Sequence, residues 1–316
     1  MGETRWSGVA SRPGRRWRIA GLATLAVVVL AGATTVIVFP RQTLSRLTHW
    51  VGPPTQVSAY APMQPAPEWH LAVAGDVGDS GGRLDTTGAT MARIHEIQPY
   101  DDLLLLGDNV YWNGDPAKLP ATVFGPFSGL LDRGVGLLAI LGNHDVLDGH
   151  GDAQMAAMGM EGRYWAKSFG DLLLVGLDSN NLDAGQVQWL DRTLAASDAT
   201  WKVVALHHPL YSAGYQGSNT EVRRVLEPIL IANHVQLVLS GHDHDYQRSE
   251  VINGVTHIVS GAGSGTRRTG REWFTAQSFA WLHFLDIGVY PDRLVLRAVG
   301  SDRSATEVGD EVVISP

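Results

Sequence analysis

Apolar and polar positions along this chain keep two rhythms. Short apolar runs at His70–Ala74, Leu103–Leu106, Val135–Leu141, Trp201–Leu206 and Val238–Leu239 have the length of buried strands. Between them lie helical patterns. Residues 84–98 read as a helix closed by Pro99. Ala184–Ala196 puts Val187, Leu190 and Leu194 on one face, and Glu221–Asn233 is a helix that Pro228 should kink. Tyr164–Phe169 and Leu172–Leu177 read as strands about Gly170-Asp171. Glu250–Ser260 reads as a hairpin turning at Asn253-Gly254. Residues 119–133 are weakly helical, and 146–162 and 261–277 read as loops. Trp281–Ile287 and Leu294–Val299 are the last strands, ahead of a charged tail over 301–316. Alternating strands and helices predict an α/β fold, and the late hairpins add antiparallel strands. One mixed sheet or two stacked sheets are the expectation.

The N-terminal part breaks this pattern. Arg5, Arg12, Arg15, Arg16 and Arg18 crowd a basic segment over 1–18. Ile19–Phe39 then runs without a charge. As a helix it is about 30 Å long, enough to span a bilayer. The basic flank predicts the N-terminus inside and the rest of the chain extracytoplasmic. A cleaved signal peptide, processed near Ala31-Gly32-Ala33, is the alternative, and it would leave a secreted protein. Residues 40–68 carry Pro53-Pro54, Pro62, Pro65 and Pro67 and read as a linker, so the folded domain is expected over 69–300.

Composition narrows the chemistry. A hydrophobic fraction of 44 % fits a globular core, and the absence of Cys excludes disulfides, thiolate nucleophiles and Cys-zinc sites. The formal charge of −8 leaves no basic footprint for nucleic acid.

The strand ends carry the candidate chemistry. They supply Asp76, then Asp108 with Tyr111, then Asn143 with His144, then His207 or His208, then His242 with His244. An Asp after a strand is commonly a turn or a cap. Five polar endings in sequence, mostly after Gly, are better read as one site. Carboxylates, an amide oxygen, a phenol and imidazoles exceed the needs of one tetrahedral ion. They suit two ions about 3.5–4 Å apart that share a carboxylate. Ligands of mixed O and N type without sulfur fit iron, zinc or manganese. Such a pair can lower the pKa of a bound water and clamp a phosphoryl oxygen. His242 and His244 are two residues apart, so in an extended segment both point the same way and can address neighbouring ions.

The ordered series Gly75-Asp76-Val77-Gly78, Gly107-Asp108-Asn109-Val110-Tyr111, Gly142-Asn143-His144-Asp145, His207-His208-Pro209 and Gly241-His242-Asp243-His244 resembles the calcineurin-like metallophosphoesterases. Tyr111, three residues after Asp108, resembles the purple acid phosphatase branch, tartrate-resistant acid phosphatases included. The resemblance covers about residues 70–300. It implies a four-layer αββα sandwich, here preceded by one transmembrane helix. It also implies a phosphomonoesterase in which a metal-bound hydroxide attacks phosphorus, and the N-terminal reading makes it an exported one. Carried over residue by residue, Asp76, Asp108, Tyr111 and His244 would hold Fe3+. Asp108, Asn143, His207 and His242 would hold a divalent ion, Fe2+, Zn2+ or Mn2+, with Asp108 bridging. Asn143, His144 and Gln216 would touch the phosphate ester, and His144 with Asp108 would serve catalysis. A phosphodiesterase on the same metals, or a non-catalytic metal-binding surface protein, are the alternative functions.

One position departs from the family pattern. Relatives usually carry a His in the loop after His-x-Pro, where this chain has Gln216 in Ser212–Ser218. Gln cannot protonate a leaving group. Asp145 and Asp243 read as turn or supporting residues, and Asp178 as structural. Arg248 fits packing or an ion pair as well as a phosphate contact. Arg267, Arg268 and Arg271 fit a substrate rim or a solvated loop. Oligomeric state has no signature in the sequence.

Overall fold

The computed structural model describes residues 51–301 and 306–316. The basic segment and the apolar stretch 19–39 lie outside the described residues. Among the described residues no helix is long and apolar enough to cross a membrane.

Among the described residues fourteen strands form two seven-stranded sheets. The first contains β1 (Ser58–Ala59), β2 (Trp69–Ala74), β3 (Asp102–Leu105), β4 (Gly136–Ala139), β12 (His283–Val289), β13 (Leu294–Gly300) and β14 (Glu307–Ile314). Its order is β1-β14-β13-β12-β2-β3-β4. The second contains β5 (Trp165–Phe169), β6 (Leu172–Gly176), β7 (Trp201–Ala205), β8 (Leu237–Ser240), β9 (Tyr246–Ser249), β10 (Thr256–Ser260) and β11 (Thr275–Phe279). Its order is β11-β9-β10-β8-β7-β6-β5. β2, β3 and β4 are parallel, as are β6, β7, β8 and β10.

Among the described residues five α-helices accompany the sheets: α1 (Gly82–Ile97), α2 (Ser128–Leu131), α3 (Gly151–Ala157), α4 (Ala184–Ala195) and α5 (Thr220–Ala232). The period-two rhythm of β6 decides the layering. Leu172 and Leu174 join Leu71, Leu104 and Val203 in the core between the sheets. Leu173 and Val175 face the other way and meet Leu190 and Leu194 of α4 and Leu226 and Leu230 of α5. Leu84, Met91 and Ile94 of α1 cover the first sheet. The layers are therefore helix, sheet, sheet, helix, as the resemblance implied. Full burial of each such side chain contributes about 1.5–3 kcal/mol.

Several expectations need correction. The charged tail contains β14, which pairs antiparallel with β13. Its charges are used there, because Asp310 accepts from Arg248 Nε at 2.7 Å and from Tyr246 Oη at 2.7 Å. That contact links the two sheets and gives Arg248 its ion pair. The described part of the linker, residues 51–68, lies against the domain. β1 pairs with β14, Met63 is buried beside Gly288, and Val51 bridges Thr269. Its prolines mask these contacts in the sequence. Within 261–277 the loop gives way to β11 at Thr275. The hairpin turning at Asn253-Gly254 draws its first strand from β9, upstream of Glu250. Helix α5 runs through Pro228 from Thr220 to Ala232, held by buried Val222, Leu226 and Leu230.

Candidate metal centre

The parallel strands of both sheets end on one edge, where open α/β sheets place their sites. β2 delivers Asp76 and β3 delivers Asp108, both with φ in the left-handed region at 56° and 51°. His242, after β8, has φ 71°. Backbone held in this region costs about 1–3 kcal/mol per non-glycine residue and concentrates at functional sites. The preceding glycines permit close approach. A Cβ on Gly142 would stand 2.2 Å from Asp108 Oδ1, and one on Gly241 would stand 2.6 Å from Asp76 Oδ2.

The donor atoms fall into two groups. In the first, Tyr111 Oη lies 2.9 Å from His244 Nε2 and 3.2 Å from Asp76 Oδ1. His244 Nε2 lies 3.4 Å from the same Asp76 oxygen. In the second, His207 Nε2 lies 3.2 Å from Asn143 Oδ1, 3.2 Å from His242 Nδ1 and 3.5 Å from Asp108 Oδ2. Asp76, Asp108 and His207 each offer a ligand atom, and these atoms lie within 4.8 Å of one another. The structure thus brings together all seven residues expected as ligands.

The choice between His207 and His208 is made by geometry. His207 Nδ1 donates to the Leu106 carbonyl at 2.9 Å, which aims Nε2 into the site. His208 instead shares hydrogen bonds with Ser179, at 2.9 Å through Nδ1. Burial, then the neighbouring His207, pushes His208 down to about 4.

The electrostatics fit a cation. Burial opposes charge on His207, yet Asp108 beside it wins and lifts the ring to about 10. Burial likewise opposes ionisation of Asp108, and His207 outweighs it, holding the carboxyl below its ordinary value. Burial, then His207, pushes His242 down to about 2. A proton on His207 Nε2 therefore stands among an amide oxygen, a carboxylate and a facing imidazole nitrogen, where a metal ion would fit. Burial, then Asp76 and Asp108, keeps Tyr111 a phenol far above its ordinary range. Only a strongly charged cation would make it a phenolate.

Supporting residues complete the floor. Asp145 accepts from the backbone N–H groups of Asn109, Val110 and Gly142 and from Gln154, at 2.8–3.1 Å. It ties the Asp108 and Asn143 loops together. Burial, then Asp108, lifts Asp145 to about 6. Asp243 accepts from Gln216 N at 2.6 Å, Gly217 N at 3.1 Å and Ser212 Oγ at 2.5 Å, fixing the loop after His-x-Pro. Asp178 accepts from Asn180, whose amide donates to the Gly142 carbonyl at 3.2 Å.

Above the donors opens a cleft of about 210 Å³. His144, Gln216, Arg267, Trp112, Asp79 and Arg83 are among its walls. His144 Nδ1 donates to the Trp112 carbonyl at 2.8 Å, so Nε2 is the nitrogen left for substrate. Sequence reasoning missed Arg83, Asp79 and Trp112. Trp112 and Asp79 had a signal, since each follows a metal motif directly, while Arg83 carries none.

Residues 70–246 match the calcineurin-like phosphoesterase family. The chain belongs to that family, whose members are phosphoester hydrolases. Its relatives are tartrate-resistant and purple acid phosphatases. It is 28 % identical over 233 residues to tartrate-resistant acid phosphatase type 5 of Rattus norvegicus, covering 60 % of this chain and 71 % of that one. Among solved structures, a purple acid phosphatase from seeds of yellow lupin (Lupinus luteus) superposes with TM-score 0.67 at 18 % identity, over 81 % of this chain and 55 % of that one. GAP50, the anchor in the inner membrane complex of Plasmodium, superposes equally well, with TM-score 0.67 at 18 % identity over 78 % and 88 % of the two chains. At these identities the two superpositions establish the fold.

Proposed function

We propose that this protein is a binuclear-metal phosphomonoesterase of the acid phosphatase type. The observation that supports the reading is the division of the donors into two groups, with ligand atoms of Asp76 from the first and of Asp108 and His207 from the second within 4.8 Å of one another. Asp76, Asp108, Tyr111 and His244 would hold Fe3+, and Asp108, Asn143, His207 and His242 a divalent ion (Fe2+, Zn2+ or Mn2+). Two ions there would supply Lewis acidity and a nucleophile from water. Asn143 and Gln216 orient the phosphoryl group from the floor and the rim. His144, through Nε2, protonates the leaving oxygen in place of the His that Gln216 replaces. Asp145 and the Leu106 carbonyl keep the Asn143 loop and the His207 ring in register.

Export and membrane tethering through residues 19–39 belong to the same proposal, supported by the basic segment before them. Cell fractionation with N-terminal sequencing of the mature chain tests this part, and an N-terminus beyond Ala33 would replace the anchor with a signal peptide.

Metal analysis and a visible spectrum of the purified protein test the centre. The expected result is iron with one divalent metal and a phenolate-to-iron band that Tyr111→Phe abolishes. Two zinc or manganese ions and no colour would overturn the ferric assignment. p-Nitrophenyl phosphate should be hydrolysed faster than bis(p-nitrophenyl) phosphate, and the reverse order would overturn the monoester reading.

A further inference from the structure

Two guanidinium groups on the cleft wall have no part in this chemistry. Arg83 projects from the first turn of α1 and is exposed. Its Nη1 and the Nδ1 of His244 lie 4.0 Å and 3.9 Å from where a Cβ on Gly265 would sit. One glycine therefore separates Arg83 from the ring whose other nitrogen joins Tyr111 and Asp76. Arg267 is held on the same side, because its backbone N–H donates to the His244 carbonyl at 2.7 Å. Its guanidinium sits 5.5 Å from the Tyr215 ring centroid.

Arg83 and Arg267 are in no ion pair among the described residues, although Asp79 lines the same cleft. A metal pair with its anionic ligands is already positive enough for one phosphate dianion. Two further guanidinium groups suit a second anion, since their forked donors match carboxylate and phosphate alike.

We infer that Arg83 and Arg267 form a second anion subsite, and that the preferred substrate is a phosphoester whose leaving group carries another carboxylate or phosphate. The inference rests on the phosphatase reading of the adjoining centre. The phosphoryl group being cleaved lies over the metal donors, and the leaving group extends along the Gly265 side toward the two arginines. The subsite selects the leaving group and takes no part in bond breaking.

Turnover of propyl phosphate, 3-phosphooxypropionate and 1,3-propanediol bisphosphate by the metal-loaded protein tests it, since these differ only in the distal group. At low salt one or both anionic arms should raise kcat/KM about tenfold over propyl phosphate, with the ratio shrinking as salt rises. Arg83→Gln and Arg267→Gln should each lower that ratio, and Arg83→Lys and Arg267→Lys should restore part of it. A ratio near one in the wild type, or one unchanged by both Gln variants, overturns the subsite. Calorimetric binding of 3-phosphonopropionate against propylphosphonate reads the same preference without turnover. Preferential binding with no hydrolysis of any ester would sink the phosphatase reading and keep the subsite. Hydrolysis without preference would sink the subsite alone.

Discussion

The floor of the cleft and its rim are built on different principles. The floor consists of strand ends from both sheets, and Asp76, Asp108 and His207 on it are buried. Each of these side chains is fixed by neighbours, as the Leu106 carbonyl fixes His207. The rim consists of loops and the first turn of α1, with Tyr215 58 % exposed and Trp112 72 % exposed. The buried carboxylate of Asp243 ties the 212–218 loop to the floor, and Gln247 accepts from Ala213 N beside it. Buried, preorganised donors set what reaction is possible, because reorganising them is costly. Exposed loops set which substrate enters, because changing them costs the fold little.

The largest expected effect comes from breaking the floor. Asp108→Asn should lower kcat/KM by more than about a thousandfold, equal to roughly 4 kcal/mol, through lost metal and an unpaired buried His207. Metal content of the purified variant, measured beside activity, checks the cause. The loss should appear for every phosphoester alike.

His144→Gln stands between floor and rim. It should lower kcat by about a hundredfold for alkyl phosphates and far less for p-nitrophenyl phosphate, whose leaving group needs no proton. Equal losses on both substrates would assign His144 to binding.

Asp243→Asn should loosen the rim and leave the floor. Losing part of its hydrogen bonding to Gln216, Gly217 and Ser212 costs about 1–3 kcal/mol. The expected signature is a lower Tm and a KM raised about tenfold, with kcat and metal content kept. A lost metal would show that Asp243 supports the floor directly, through its neighbours His242 and His244.

A smaller effect concerns pH in the metal-free protein. His207 is held above its ordinary 6.5, up to about 10, by Asp108. Its contribution to stability is full below pH 6.5 and is lost as the pH rises through about 10. Denaturant melts of the metal-free wild type should therefore weaken along this range, and Asp108→Asn should flatten the slope. Metal binding displaces the same proton, so affinity should rise with pH.

The floor was legible in the sequence because each ligand follows an apolar run and a tight turn within a few residues. Such local signals survive without knowledge of the fold. Asp145 and Asp243 were legible only as motif neighbours. Their work lies in hydrogen bonds to segments tens of residues away. The rim was harder still. Arg83 sits in an ordinary helix start, and nothing near it in sequence marks a cleft. The strands β11 and β14 escaped for a related reason. Their polar and charged residues look like loop until Asp310 meets Arg248 and Tyr246 across the two sheets.

The sequence by itself determined the α/β class, the helix faces, the donor set and its order along the chain. These follow from periodicity and from chemistry confined to short segments. Tertiary structure alone decided that the Leu106 carbonyl aims His207 Nε2 into the site while His208 turns to Ser179, how closely the donor atoms approach one another, and that residues 51–68 lie on the domain. Each of these depends on which atoms two distant segments bring within about 3 Å, a distance set by the packing of one sheet on the other.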